Sequence, residues 1–496
     1  MEEEEITPSE KEASVEVPLS ETTPPEMAPL ETPPLETRPS GTVPPGVPPS
    51  QGVGPETEAA ELLKAKKSPL KKLLLLIKIG LVFLVLFLAF KFFLPKFRGV
   101  VKPKEVILTY WGLWEQKNVI EPLIFEFQKE HPSVKIDYLQ QYHKDYRERV
   151  QSALARGEGP DIFRFHNTWL PMFKNELAIV PPDVFDATSF EVTFYPVVKK
   201  DLRQGTNYYG IPLMFDCLSL FINSEIFEAA GKIPPETWDG LRKTAIELTV
   251  YDQDGKIKTA GAALGETGNV DHWSDILGLM MMQNGADLAN PTGELAEDVL
   301  TFYTLFSTTD RVWNKTLPPS TYAFATGKVA MIFAPSWRVF NIKEINPNLK
   351  FEIVSIPQLS GQKIAWATYW VEGVNKKSKY QEEAWEFLKF LSKKETIQRL
   401  YSEESKTRLF GEIPSRVDLA DLYRSNPYVA PFLEQAPYAQ SWYLASRTWD
   451  NGINEKIIKY FEDAVNAALE GKGAKESLQV CAQGVSQVLS QYQASY

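Results

Sequence analysis

Three kinds of hydrophobic and polar spacing follow one another along the chain. The first 60 residues show no periodicity at all. Leu73 to Leu94, LLLLIKIGLVFLVLFLAFKFFL, is apolar on every side. A helix of that length spans about 33 Å, enough for a hydrocarbon layer of about 30 Å, and Lys78 and Lys91 lie near its ends, where they can snorkel. From Glu105 the spacing changes again. EVILTYW predicts a strand, and NVIEPLIFEFQKE a helix with Val119, Ile120, Leu123, Ile124 and Phe127 on one face. VKIDYLQ predicts a second strand, HKDYRERVQSALARG a second helix and DIFRF a third strand. That βαβαβ order implies a parallel sheet. Farther on, KVAMIF predicts a strand, QEEAWEFLKFLSKK a helix burying Ala384, Trp385, Leu388 and Leu391, and NEKIIKYFEDAVNAALEG a long helix ended by Gly471. The fold class is α/β, with helices concentrated toward the end.

Composition separates the tail from the rest. Residues 1 to 60 are rich in Pro, Glu, Thr and Ser, with too few large apolar groups to offset the entropy of folding. We expect 1–70 to be a disordered tail acting as a spacer, 71–96 a transmembrane anchor and 97–104 a linker. The apolar run is followed by no small-residue cleavage site and no Cys near position 95, which favours a retained anchor over a signal peptide. Lys64, Lys66, Lys67, Lys71 and Lys72 before the span nearly balance Lys96, Arg98, Lys102 and Lys104 after it. The excess leans toward a cytoplasmic tail and an extracellular C-terminal domain.

Charge narrows the function. The formal net charge is -11, and all of it arises in the first 60 residues; the remaining 436 carry 51 basic and 51 acidic groups. A balanced surface gives no support for nucleic-acid binding. With only Cys217 and Cys481, a disulfide framework is excluded, and no cysteine or histidine spacing suits a metal. Asp254-Gly255 in YDQDGKIKTAG reads as a hairpin turn, since a calcium loop would need Gly at Ile257 and an acid at Ala263. GETGNVD lacks the lysine of a phosphate loop. No catalytic residue, cofactor or metal ligand is expected.

Binding chemistry gathers instead in ALARGEGPDIFRFHNTWLP. A Gly-rich turn leads into a buried strand whose carboxyl end delivers Phe165, His166, Asn167 and Trp169, where open α/β sheets place their ligands.

YWGLWEQ with FQKEHPSVKI, ALARGEGPDIFRFHNTWLP, YGIPLMFDCLSLFINSEIFEAAGKIPPETWDGL, FATGKVAMIFAPSW, AWEFLKFLSKKET and IPSR occur in this order. Over about residues 105 to 490 the ordered set resembles family 1 extracellular solute-binding proteins, the binding subunits of carbohydrate ABC importers, with maltose-binding protein as a familiar relative. The resemblance implies a two-lobed periplasmic-binding-protein type II fold with a hinge, following one transmembrane helix and a disordered tail. Lobe 1 would comprise about 105–214 and 365–400, lobe 2 about 215–364 and 401–496, with crossings near Leu213 to Asp216 and Ile356 to Thr368. It implies a carbohydrate ligand closed between lobes, delivery to ABC permease subunits and a monomer.

The resemblance also implies a site. Sugars need aromatic platforms for their C–H faces and polar groups for their hydroxyls. Trp111, Trp114 and Glu115 fall in the loop after the first strand; Glu115 would accept sugar hydroxyls or be a solvated loop carboxylate. Phe165, His166, Asn167 and Trp169 follow the third strand, where Thr168 and Trp169 replace the Asp-Arg pair of the maltose-binding relative, implying a different solute. Asp216 falls at a ligand carboxylate position, Trp337 at a stacking platform, and Tyr369 and Trp370 near the second crossing. Trp442 or Trp449, with Tyr443 nearby, would stack on the ligand. Glu266, Asn269 and Asp271 would add polar contacts or form an ordinary surface loop. Besides an importer's receptor, a surface sugar sensor or adhesion protein shares these features, and a glycan-acting enzyme would require two facing carboxylates, Asp216 and Glu115 being the pair available.

Overall fold

The computed structural model describes residues 69–97, 105–359 and 361–494. Most of the expected tail and all but the first residue of the expected linker lie outside the described residues. Helix α1, Pro69–Phe97, belongs to a unit separate from the α/β part. Its stretch Leu73–Lys91 has a mean hydropathy of 3.0 and no buried side chain.

In the α/β part the local patterns become a four-stranded sheet. Strand β1, Val106–Gly112, pairs in parallel with β2, Val134–Gln140, and with β3, Ile162–His166. Strand Trp370–Val374 adds antiparallel to β3, so the sheet is parallel on one side and mixed on the other. Val106, Leu108, Tyr110 and Gly112 point to the core while alternate residues do not, as a half-buried strand requires. Helix α2, Lys117–Glu130, buries the five residues its spacing predicts. Helix α3 is shorter than predicted, Tyr146–Arg156, because Asp145 takes a left-handed conformation (φ 56°) and breaks the chain before it. Gly157 (φ 75°) ends it.

The second sheet has five strands in the order Phe351–Val354, Ser219–Asn223, Val329–Ala334, Ile257–Ala262, Val250–Tyr251. Its last two form the hairpin that turns through Asp254-Gly255, with Gly255 at φ 76°. The helix expected over Gln381–Lys394 ends at Leu391; Lys393 is extended, and a separate helix, Lys394–Glu404, packs on α2. At the C-terminal end Ile453–Leu469 and Ala474–Tyr492 pack on each other and on Glu294–Thr308.

Two segments connect the sheets side by side. Ile211 exchanges backbone hydrogen bonds with Glu372 (2.9 and 3.0 Å), Leu218 N–H donates to Trp366 O (2.9 Å), and Thr368 N–H donates to Asp216 O (3.0 Å). A third segment joins them, Ala365–Trp366 pairing in parallel with Ala439–Gln440. These connectors form the floor beneath the site.

Candidate functional site

A cavity of about 310 Å³ opens between the two sheets, above the connectors. The loop after β1 supplies Trp114, the end of β3 supplies His166, and the connectors supply Met214 to Asp216, Leu218 and Thr368 to Trp370. From the second sheet come His272, Asp275, Pro335 and Trp337; from later segments Arg408, Glu412, Ser446, Arg447 and Trp449. Strand ends deliver several of these, such as His166, Pro335 and Trp370, because side chains there leave the pairing ladder and are free to face a crevice.

One wall is aromatic. Trp114 meets Trp370 edge-on at 5.5 Å between ring centroids and lies 6.4 Å from Trp449. His143 packs 4.3 Å from Trp449. Opposite, Trp337 is half-buried, with the Arg338 guanidinium 4.3 Å from its ring centroid and His272 edge-on at 5.7 Å. Trp449 owes its place to a tight loop in which Arg447 (φ 60°), Trp449 (φ 48°) and Asn451 (φ 43°) are all left-handed. Three such residues within five cost conformational energy that the surrounding contacts must offset.

The polar groups are mostly engaged. Asp216 is 9 % exposed and accepts from Ser336 Oγ (2.8 Å), Ser336 N–H (3.1 Å) and Cys217 N–H (2.8 Å). Burial pushes its carboxyl up to about 7 despite these donors, and Glu412 adds to the rise. His166 bridges the Thr168 and Thr368 hydroxyls (2.8 and 2.9 Å), and burial lowers it to about 3, so it is neutral. Arg338 Nε donates to His272 Nε2 (2.9 Å), which leaves the His272 proton on Nδ1, 2.8 Å from Ser446 Oγ. Burial first, and the Arg338 charge as well, hold His272 below the usual histidine range.

Of the candidates from sequence, Trp114, His166, Asp216, Trp337, Tyr369, Trp370 and Trp449 line this cavity. Six others do not, and each has a physical reason. Glu115 is buried against Arg164 (2.6 Å), which also binds Glu372 (2.7 Å), so it is neither a solvated carboxylate nor an acceptor facing a solute. It also does not face Asp216 across the cavity, as the enzyme reading required. Trp111 packs on the core beside β2. Phe165 is fully buried on β3, and Trp169 lies beneath Trp370, stacked on Phe173 at 6.0 Å. Asn167 turns away to Asp201, which also accepts from Tyr369 and Ser441 (2.8, 2.7 and 2.6 Å). Trp442 is buried in the core.

Glu266 binds Ser307 (2.5 Å), and Asn269 links Asn314, Leu317 and Trp313. Asp271 anchors Arg447 (2.7 Å) from behind the wall. Sequence reading missed Arg408, Glu412, His272 and Asp275. Glu412 directly precedes the IPSR motif, Arg408 lies four residues upstream of Glu412, and His272 and Asp275 follow GETGNVD, so nearness to those motifs was the available signal.

Comparison with known proteins agrees with this geometry. Residues 123–430 match the family model described as bacterial extracellular solute-binding protein. A curated binding protein of Brucella abortus (strain 2308) is 24% identical over 371 residues, covering 71% of this chain and 85% of its own. The ABC transporter solute-binding protein of Thermotoga lettingae, solved with alpha-D-tagatose, is 20% identical with a TM-score of 0.60, covering 78% of this chain and 100% of its own. A sugar-binding protein of Xanthomonas citri is 18% identical with a TM-score of 0.64, covering 78% of this chain and 98% of its own. The matched proteins are solute binders rather than enzymes. The ordered motifs, the two sheets with their paired connectors and the matched family model lead to one assignment: the chain belongs to the bacterial extracellular solute-binding proteins.

Proposed function

We propose that this protein is a membrane-anchored receptor that captures a carbohydrate between its two lobes and delivers it to an ABC importer. The observation that carries the reading is the meeting of Trp114, Trp337, Trp370 and Trp449, from four separate stretches of chain, around one cavity with Asp216 in its wall. Flat aromatic faces match sugar C–H surfaces, and a carboxylate accepts from hydroxyls. Support for the solute class comes from the neighbours, one solved with alpha-D-tagatose and another with maltotetraose. In this reading the ligand contacts are Trp114, His166, Asp216, Trp337, Tyr369, Trp370 and Trp449. The lobes divide near 214, 364 and 400, and they close about the connectors.

Helix α1 is the anchor, with the tail in the cytoplasm and the binding domain outside, acting as a monomer beside its permease. Titration calorimetry and tryptophan fluorescence of the full-length protein in detergent, against a panel of mono- and disaccharides, test the capture step. Saturable binding with the sugar recovered unaltered is expected; product formation, or no binding across the panel, overturns it. Delivery is tested by co-purification with permease proteins encoded beside this gene, and loss of sugar uptake when the gene is deleted.

A further inference from the structure

The aromatic wall continues past the cavity, and on the reading that the solute is a carbohydrate this narrows what the solute is. Trp114 and Trp449 line the cavity and also flank His143, at 5.8 and 4.3 Å between ring centroids. His143 in turn meets Tyr142 at 4.6 Å. Neither His143 nor Tyr142 lines the cavity, and Tyr142 is 66 % exposed. The four rings make one strip that starts inside and finishes in solvent.

A single exposed aromatic needs no explanation, but this one is held in place. The loop between β2 and α3 carries both outer rings. Gln141 N–H donates to Gly112 O (2.8 Å), Arg149 donates to the Tyr142 and Lys144 carbonyls, and Tyr146 N–H donates to His143 O (3.2 Å). Asp145, next along, is left-handed at φ 56°, which costs energy in a residue other than glycine. The loop is thus fixed with a large apolar ring turned to water, where covering it with apolar surface is favourable.

Shape identifies what covers it. Ring faces laid in a strip match the C–H faces of pyranose units, which repeat along an oligosaccharide, whereas a compact solute ends with its cavity. The cavity, about 310 Å³, lies at the lower end of the about 300–1,000 Å³ typical of small-molecule sites. A chain of several units has to continue beyond it. Because the strip is continuous with the solute's own wall, it extends that site and does not form a separate face for a protein partner.

We propose that Tyr142 and His143 form a further sugar-binding position outside the cavity, and that the solute is an oligosaccharide whose leading units fill the cavity while the next unit stacks on Tyr142. The test is calorimetry on the full-length protein in detergent. The probes are three series of one to five units: α-1,4-glucan, β-1,4-glucan and β-1,4-mannan. In the series that binds, affinity should rise about three- to tenfold on the step that carries the chain past the cavity. In Tyr142→Ala that step should vanish while the shorter members bind as before, and Tyr142→Phe should keep it.

Binding of short sugars with no gain on lengthening overturns this proposal and leaves carbohydrate capture intact. So does a gain that survives in Tyr142→Ala, or an equal loss at every length in that variant. Loss of uptake by cells carrying Tyr142→Ala, with affinity unchanged at every length, makes the ring a protein contact and also overturns it. Silence from every series overturns both this proposal and the carbohydrate reading beneath it. The length series on the unaltered protein decides the matter even where a variant fails to fold.

Discussion

Asp216 carries the site's pH behaviour. Its folded value of about 7 lies above the ordinary carboxylate value of about 3.9. Between about pH 4 and 7 the folded chain therefore holds a proton that the unfolded chain has released, and stability falls as pH rises through that window. Asp216→Asn has no such proton. Its melting temperature relative to wild type should rise from pH 5 to pH 8, by the equivalent of up to about 3 kcal/mol; an unchanged difference would mean that the folded carboxyl titrates normally. His166 runs the opposite way, its folded value of about 3 costing stability as pH drops below about 6.5, but this contribution is common to both proteins and cancels. Arg164 is 1 % exposed and serves two buried carboxylates, Glu115 and Glu372. Removing it strands both, so Arg164→Leu should lower stability by about 3–5 kcal/mol in urea denaturation. Trp337→Ala should weaken solute binding by about 1–3 kcal/mol in calorimetry with little change in melting, since the ring is half-buried at the cavity wall.

At the scale of elements, amphipathic patterns were legible because they are local. The stripe of α2 and the alternation of β1 need only neighbours in sequence, and both are as the spacing predicts. Breaks were less legible. The shortened α3 depends on one left-handed residue, Asp145, and the split after Leu391 leaves Lys394–Glu404 free to pack on α2. Close approach between elements was invisible in sequence. A Cβ at Gly261 would lie 1.8 Å from the Ala245 carbonyl oxygen, so strand Ile257–Ala262 and helix Trp238–Leu248 touch backbone to backbone there. Gly261→Ala should push them apart and lower stability by about 1–3 kcal/mol, read by thermal or urea denaturation; a neutral result would mean that the helix can shift freely.

For the whole molecule, the paired connectors Ile211 to Leu218 and Ile364 to Glu372 run side by side between the two sheets and hydrogen-bond to each other through the backbone. A saturating solute should draw the lobes together and reduce the radius of gyration in small-angle scattering of the protein; no change on saturation would argue for a preformed closed site. The sequence by itself determined the α/β class, the apolar helix and the family, because helix and strand periodicity and ordered motifs are carried by neighbouring residues. Only the tertiary structure decided which aromatics face the solute. Trp449 rather than Trp442 reaches the cavity because a loop of left-handed residues turns it there, and Glu115 is withdrawn because Arg164, 49 positions away, lies on an adjacent strand. Local spacing says which face of an element is apolar; which element lies across from it is set by packing between distant parts of the chain.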